Sequence, residues 1–167
     1  MLTRIRFIVL FAVAVCLSIP GVAAPALPVT VVEPEAEDNF DLRCTLKLQD
    51  ARAAINPAAV LLGYQPGASY LAVTFSGGAL TLNRVTSSRI TTLATARQPY
   101  AAPTAQGTPL VIQWRDGNLR VIYDGRIVLR QEKLGALQGG VALTPQKGNL
   151  EFSEPAFQPV EPVQYED

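Results

Sequence analysis

A two-layer antiparallel β-sandwich with almost no helix is the fold class this sequence predicts, and three observations predict it. Residues 109–130 hold three β-type segments separated by Asp116-Gly117 and Asp124-Gly125. Asp-Gly between apolar alternations is a hairpin signal, because a tight hairpin turn needs positive φ and Gly accepts it without steric cost. Over residues 40–48 the alternation is strict, with Phe40, Leu42, Cys44, Leu46 and Leu48 on one face and Asp41, Arg43, Thr45 and Lys47 on the other. A period of two over nine residues is a half-buried antiparallel strand. Third, a loop at Gly77-Gly78 that pairs Phe75 with Leu80 and Val73 with Leu82 puts Leu71, Val73, Phe75, Leu80 and Leu82 on one side and Tyr70, Thr74, Thr81 and Asn83 on the other. Turn length and face composition agree there.

The elements follow in order. Residues 27–37 are rich in Pro, Val and acids without a period and read as an extended linker, so the domain is expected over 38–158. Residues 50–59 are the one stretch where a helical turn competes, ended by Asn56-Pro57. Strands are expected at 60–64, 69–76, 79–85 and 89–96, then a Pro, Ala and Gly loop over 98–108, then the meander. Around Asp116-Gly117, Leu110, Ile112 and Trp114 face the same way as Leu119, Val121 and Tyr123, while Val111, Gln113, Arg115 and Arg120 face the other. Trp114 is therefore predicted to be core. At Asp124-Gly125 a two-residue loop adds Val128 to the core face, whereas a three-residue loop with a bulge adds Ile127 and Leu129 and leaves Val128 and Arg130 outward. The second buries more apolar area and is favoured. Strands at 139–144 and 149–157 complete a set of nine or ten, and 159–167 is an acidic tail expected to be disordered.

Residues 1–26 have the order of a secretory signal peptide: Arg4 and Arg6, an apolar run over 7–19, a Pro20-Gly21 break and Ala24-Pro25-Ala26 as the cleavage site. Thirteen apolar residues fall short of the about 20 a transmembrane helix needs. The chain is thus expected to be exported, to a periplasm or the medium, with no stable membrane span after cleavage. The cut takes away Arg4 and Arg6 and no acid, which leaves 12 basic against 14 acidic residues, a net of −2. No basic field attracts nucleic acid. Cys16 leaves with the signal, and Cys44, the remaining thiol, sits on an apolar face as a small buried hydrophobe.

Chemistry is bounded by what the chain lacks. It contains no His, which excludes a Ser/His/Asp triad, a Cys/His pair and a His-ligated zinc site. Asp41, Asp116, Asp124, Glu132, Glu151 and Glu154 are spread over separate strands and turns, without the pairing that acid/base work needs. Asp116 with Asn118, or Asp124, supplies oxygens for calcium only in pairs, and each is already explained as a turn residue. No cofactor is expected, with calcium the one open alternative.

The hairpin Tyr70-Leu71-Ala72-Val73-Thr74-Phe75 to Ala79-Leu80-Thr81-Leu82, the meander Ile112-Gln113-Trp114-Arg115 to Val121-Ile122-Tyr123-Asp124-Gly125-Arg126-Ile127-Val128, and the closing Gly140-Val141-Ala142-Leu143 with Leu150-Glu151-Phe152 resemble the concanavalin A-like jelly roll. Laminin G modules, legume-type lectins and many bacterial extracellular modules share that fold, and the resemblance spans most of residues 40–157. It implies a non-catalytic binding module whose ligand is a glycan or a protein surface. The Glu-x-Asp-x-Glu strand of glucanases of this fold has no counterpart here. Tyr70, Asn83, Gln113, Arg115 and Arg120 are the candidate ligand contacts, a ring to stack on a sugar face with amides and guanidinium groups to bond hydroxyls. Two alternatives stay open: a glycoside-processing hydrolase or lyase, and a structural subunit of an extracytoplasmic assembly acting through the acidic segment 155–167.

Overall fold

The structure, a computed structural model, describes residues 13–15, 27–51, 57–76, 79–96, 102–145 and 149–161. Among the described residues twelve strands form two antiparallel sheets. The larger is built from β1 (Val13–Val15), β2 (Leu27–Glu33), β4 (Ala58–Tyr64), β5 (Tyr70–Phe75), β6 (Leu80–Val85), β7 (Ile90–Ala96) and β11 (Gly140–Thr144), in the spatial order β1-β2-β11-β4-β5-β6-β7. The smaller holds β3 (Asn39–Leu48), β8 (Thr108–Arg115), β9 (Asn118–Tyr123), β10 (Arg126–Gln131) and β12 (Leu150–Pro159), in the order β10-β9-β8-β3-β12. This is the jelly-roll sandwich that the alternation and turns predict, and no helix occurs among the described residues.

Local sequence accounts for the register. Asp116 and Asp124 have φ of 44° and 50° and the glycines after them 77° and 71°, the pair of positive values that a type I′ hairpin turn requires. The β8–β9 ladder then runs from Arg115↔Asn118 to Leu110↔Tyr123, and Val73↔Leu82 and Phe75↔Leu80 hold in β5–β6 as expected. Between the sheets lies one core, in which Phe40, Leu42, Leu46, Val73, Phe75, Leu80, Leu82, Ile112, Trp114 and Val121 are fully or almost fully buried. Cys44 lies in it, and burial pushes its thiol up to about 12.

Four regions differ from expectation. Leu27–Glu33, expected as part of a linker, pairs with β11 as β2, because Val29, Val31 and Val32 find apolar surface there. Val13–Val15, within the expected signal segment, runs beside it. At Asp124-Gly125 the loop has two residues, with Tyr123↔Arg126, and the bulge lies further along, between Ile127 and Leu129. Leu129 is buried as expected, whereas Ile127 pairs outward with Ile122 and stays exposed. The C-terminal strand continues to Pro159 through an irregularity at Glu154-Pro155, and Phe157 stacks on Phe40 at 4.9 Å. The helical turn weighed for 50–59 falls largely on 52–56, outside the described residues, and strand begins at Ala58.

Strand β4 is buried along its whole length. Ala58, Val60 and Leu62 face the core between the sheets, and Ala59, Leu61 and Tyr64 face the other way. Gly63, at φ 67°, is the residue skipped where Leu62 pairs with Val141 and Tyr64 with Gly140. That bulge reverses the parity and turns Tyr64 onto the outer face, beside Tyr70.

Candidate functional site

The five residues singled out as ligand contacts lie on opposite sides of the molecule. Tyr70 and Asn83 belong to the outer face of the larger sheet, and Gln113, Arg115 and Arg120 to the outer face of the smaller. They cannot form one site.

On the larger sheet Tyr70 is 9 % exposed and packs edge-on against Tyr64, ring centroids 5.5 Å apart. Around the two rings lie Val29, Ala59, Leu61, Ala72, Val85 and Ala142, a second apolar cluster. Burial raises the phenol pKa of both tyrosines, and in Tyr70 the proximity of Tyr64 adds to it. Asn83 is occupied as well. Its amide nitrogen donates to the Thr81 hydroxyl at 3.0 Å and the Thr74 hydroxyl at 3.5 Å, and its oxygen accepts from Thr92 at 2.8 Å. Tyr70 is thus buried, and the half-buried Asn83 amide is bonded at both its nitrogen and its oxygen.

The smaller sheet differs. The pairings Arg130↔Arg120, Arg120↔Gln113 and Gln113↔Asp41 set these four residues in one row across β10, β9, β8 and β3. A groove of about 510 Å³ opens over this row, lined by Gln113, Arg115, Asn118, Arg120, Arg130 and Glu132 with Leu119. Small-molecule sites span roughly 300–1,000 Å³. Arg115 is a structural member of this set. Its guanidinium meets the Asp41 carboxylate at 2.6 Å and donates to the carbonyls of Phe40 and Trp114 at 2.6 and 2.7 Å. Asp41, 6 % exposed, also accepts from Gln113 and Arg43 at 3.4 Å each. Arg115 thus neutralises a carboxylate that burial would otherwise penalise.

Glu132 reaches the groove because the segment after β10 docks on the Asp116-Gly117 turn. Leu134 N–H donates to the Gly117 carbonyl at 2.8 Å, Lys133 N–H donates to Asn118 Oδ1 at 3.3 Å, and Asn118 Nδ2 donates to the Arg115 carbonyl at 3.0 Å. A Cβ on Gly117 would meet the Gly135 backbone at 3.1 Å, a tight contact, and the φ of 77° at this position also favours glycine. Asn118, Arg130 and Glu132 are groove residues that were not among the sequence candidates. The outward parity of Arg130 was the signal for one of them, and the fold-back that brings Glu132 has no signature in strand periodicity.

Among the residues lining the groove Glu132 is the single carboxylate. Among the described residues no group of three or more Asp, Glu or Cys converges as a metal site, and no helix is long and apolar enough to cross a membrane.

No protein-family model and no curated protein sequence matches the chain. Solved structures do. Sheep galectin-11 in complex with glycerol superposes with a TM-score of 0.62 at 10% identity, covering 78% of this chain and 96% of that one. The carbohydrate-binding module CBM66 from Bacillus subtilis gives 0.58 at 9% identity, covering 78% and 81%. Galectin LEC-6 from Caenorhabditis elegans gives 0.56 at 14%, covering 79% and 93%. The likeness is one of fold, the lectin-type jelly roll.

Proposed function

We propose that this chain is an exported, non-catalytic glycan-binding module of lectin-like type, with its ligand in the groove on the outer face of the five-stranded sheet. The observation that carries the reading is that groove. It is of ligand size, and it brings Gln113, Arg120 and Arg130 together on a rigid antiparallel scaffold. The fold likeness supports it, since the solved neighbours include a module named for carbohydrate binding. The order of charged, apolar and small-residue regions over residues 1–26 supports export.

Amide and guanidinium groups donate in fixed directions, which suits hydroxyl-rich ligands that need orientation more than apolar burial. A hydrolase reading requires a second carboxylate facing Glu132 across the substrate, and the groove lining supplies none. The test is a glycan array probed with protein purified after expression of the full chain, with and without calcium. A saturable hit lost in Gln113→Ala is the expected result. A blank array from protein that melts cooperatively would overturn the glycan reading and favour a protein surface as the ligand, the laminin G-like alternative. A hit unaffected by Gln113→Ala would move the site out of the groove. Mass spectrometry of the secreted product checks export, with Leu27 expected as the first residue.

A further inference from the structure

We infer that the groove selects anionic saccharides, those bearing a carboxylate or a sulfate, and that Arg120 and Arg130 are the residues that read the charge. The inference rests on the glycan reading of this groove and adds the class of ligand to it.

Arg120 and Arg130 stand directly opposite one another on β9 and β10, where side chains start about 5 Å apart and like charges repel. Both are exposed, and among the described residues neither has an ion pair or a side-chain hydrogen bond. Glu132 shares the groove without pairing to either. The contrast with Arg115 is the informative part. That guanidinium is consumed by Asp41 and two carbonyls, whereas two others, on a chain whose mature form carries net negative charge, are left adjacent and unneutralised. One carboxylate or sulfate between them would accept from both planar forks at once.

The rest of the lining points the same way. No aromatic side chain lines the groove, and Trp114, the sole tryptophan, is 1 % exposed in the core. Stacking on a neutral sugar face, a chief source of affinity for an aromatic site, has no platform here. Directed polar contacts remain, and charge-assisted ones are the strongest of those. Gln113, next in the row, is placed to bond a neighbouring hydroxyl. The net charge of −2 disfavours a polyphosphate chain, whose binding depends on a broad basic field. A localised anion on a hydroxyl-rich ligand needs only this pair.

Calorimetric titration of the protein from full-chain expression tests this with a heparin hexasaccharide, an oligogalacturonate and the uncharged maltohexaose. The sulfated or the carboxylated probe is expected to bind at least about tenfold tighter than the neutral one at low salt, and to weaken as salt screens the contact. Comparison of the two acidic probes separates sulfate from carboxylate. Arg120→Gln and Arg130→Gln should each lose about tenfold, with Arg120→Lys intermediate because it keeps the charge and loses the fork. The Lys variant also keeps the test valid should a neutral substitution disturb the hairpin. Equal binding of neutral and acidic probes, lost in Gln113→Ala, would overturn the anion inference and leave the glycan groove standing. Acidic binding indifferent to both arginines would overturn the inference and relocate the site. Protein that folds and binds none of the three would contradict the inference, and a blank glycan array beside it would contradict the glycan reading too.

Discussion

The two outer faces of this sandwich are built by the same alternation and come out as opposites. On the seven-stranded sheet Val29, Ala59, Leu61, Tyr64, Tyr70, Ala72, Val85 and Ala142 form a buried apolar patch on the outward side, with Asn83 held among threonine hydroxyls. On the five-stranded sheet the outward positions include Asp41, Arg43, Gln113, Arg115, Arg120 and Arg130, with a groove over the last four. Parity says only that a residue points away from the core. Whether it then meets solvent, another apolar group or a ligand depends on its neighbours across the strands. The second face presents exposed guanidinium groups at Arg120 and Arg130, whereas the unpartnered hydroxyls of the first, on Tyr64 and Thr144, are buried.

Substitutions separate the two faces from each other and from the core. Trp114 lies beneath the groove yet faces the common core, so Trp114→Ala should destabilise by about 3–5 kcal/mol in denaturant melts. A loss below about 1 kcal/mol would place it outside the core. Its fluorescence should be blue-shifted when folded and move red on unfolding. Tyr70→Ala, on the apolar face, should cost about 2–3 kcal/mol from lost burial and leave glycan affinity unchanged; a binding defect with intact stability would reverse the roles of the two faces. Arg115→Ala should cost about 2 kcal/mol, because Asp41 stays buried after losing its strongest donor. Replacing Asp41 and Arg115 together by Asn and Gln should recover part of that loss.

Alkaline pH probes buried groups, the Cys44 thiol first and then the phenols of Tyr64, Tyr70 and Tyr123, which burial also raises. The Cys44 thiol is pushed up to about 12 by burial, from an ordinary value of 9.0. The unfolded chain therefore releases this proton first as pH rises, and the folded state loses relative stability from about pH 9 upward, through the window to about 12. The loss is about 1.4 kcal/mol for each pH unit in that interval. Cys44→Ala should reduce this alkaline slope, most below about pH 10 where the phenols contribute least, and the native thiol should resist a disulfide reagent that labels it fully in denaturant. The smallest effect belongs to the exposed arginines: Arg120→Ala should change stability by less than about 0.5 kcal/mol in either direction. That near-neutrality is what separates a ligand contact from Arg115.

The fold was legible where local and tertiary demands coincide. Strict alternation in β3, the Asp116-Gly117 turn and the β5–β6 register each specify one face, and Trp114, Leu110 and Val121 follow from parity alone, whereas at Asp124-Gly125 two registers fitted the sequence. Legibility failed where one demand overrode another. Strand β4 is buried on both sides, so it shows no period, and Gly63 then inverts parity for Tyr64. In β2, Pro28 and flanking acids hide a strand whose valines are the reason it pairs. The site was half legible for a different reason. Alternation assigns each residue to the inner or outer side of its own sheet, but not to the same side of the molecule as a residue in another sheet, so Tyr70 and Asn83 were grouped with Gln113, Arg115 and Arg120. Sequence also does not disclose that the Arg115 guanidinium is taken by Asp41, 74 positions away.

Binding by the five-stranded sheet is tested most directly by the affinity of two variants for the strongest glycan ligand, measured side by side: the double change Gln113→Ala with Arg120→Ala on the five-stranded sheet, and Asn83→Ala on the seven-stranded one. The expected result is a loss of about thirtyfold, about 2 kcal/mol, for the first and no change for the second. Full affinity in the first with loss in the second would be the contrary result, and would assign the ligand to the outer face of the seven-stranded sheet.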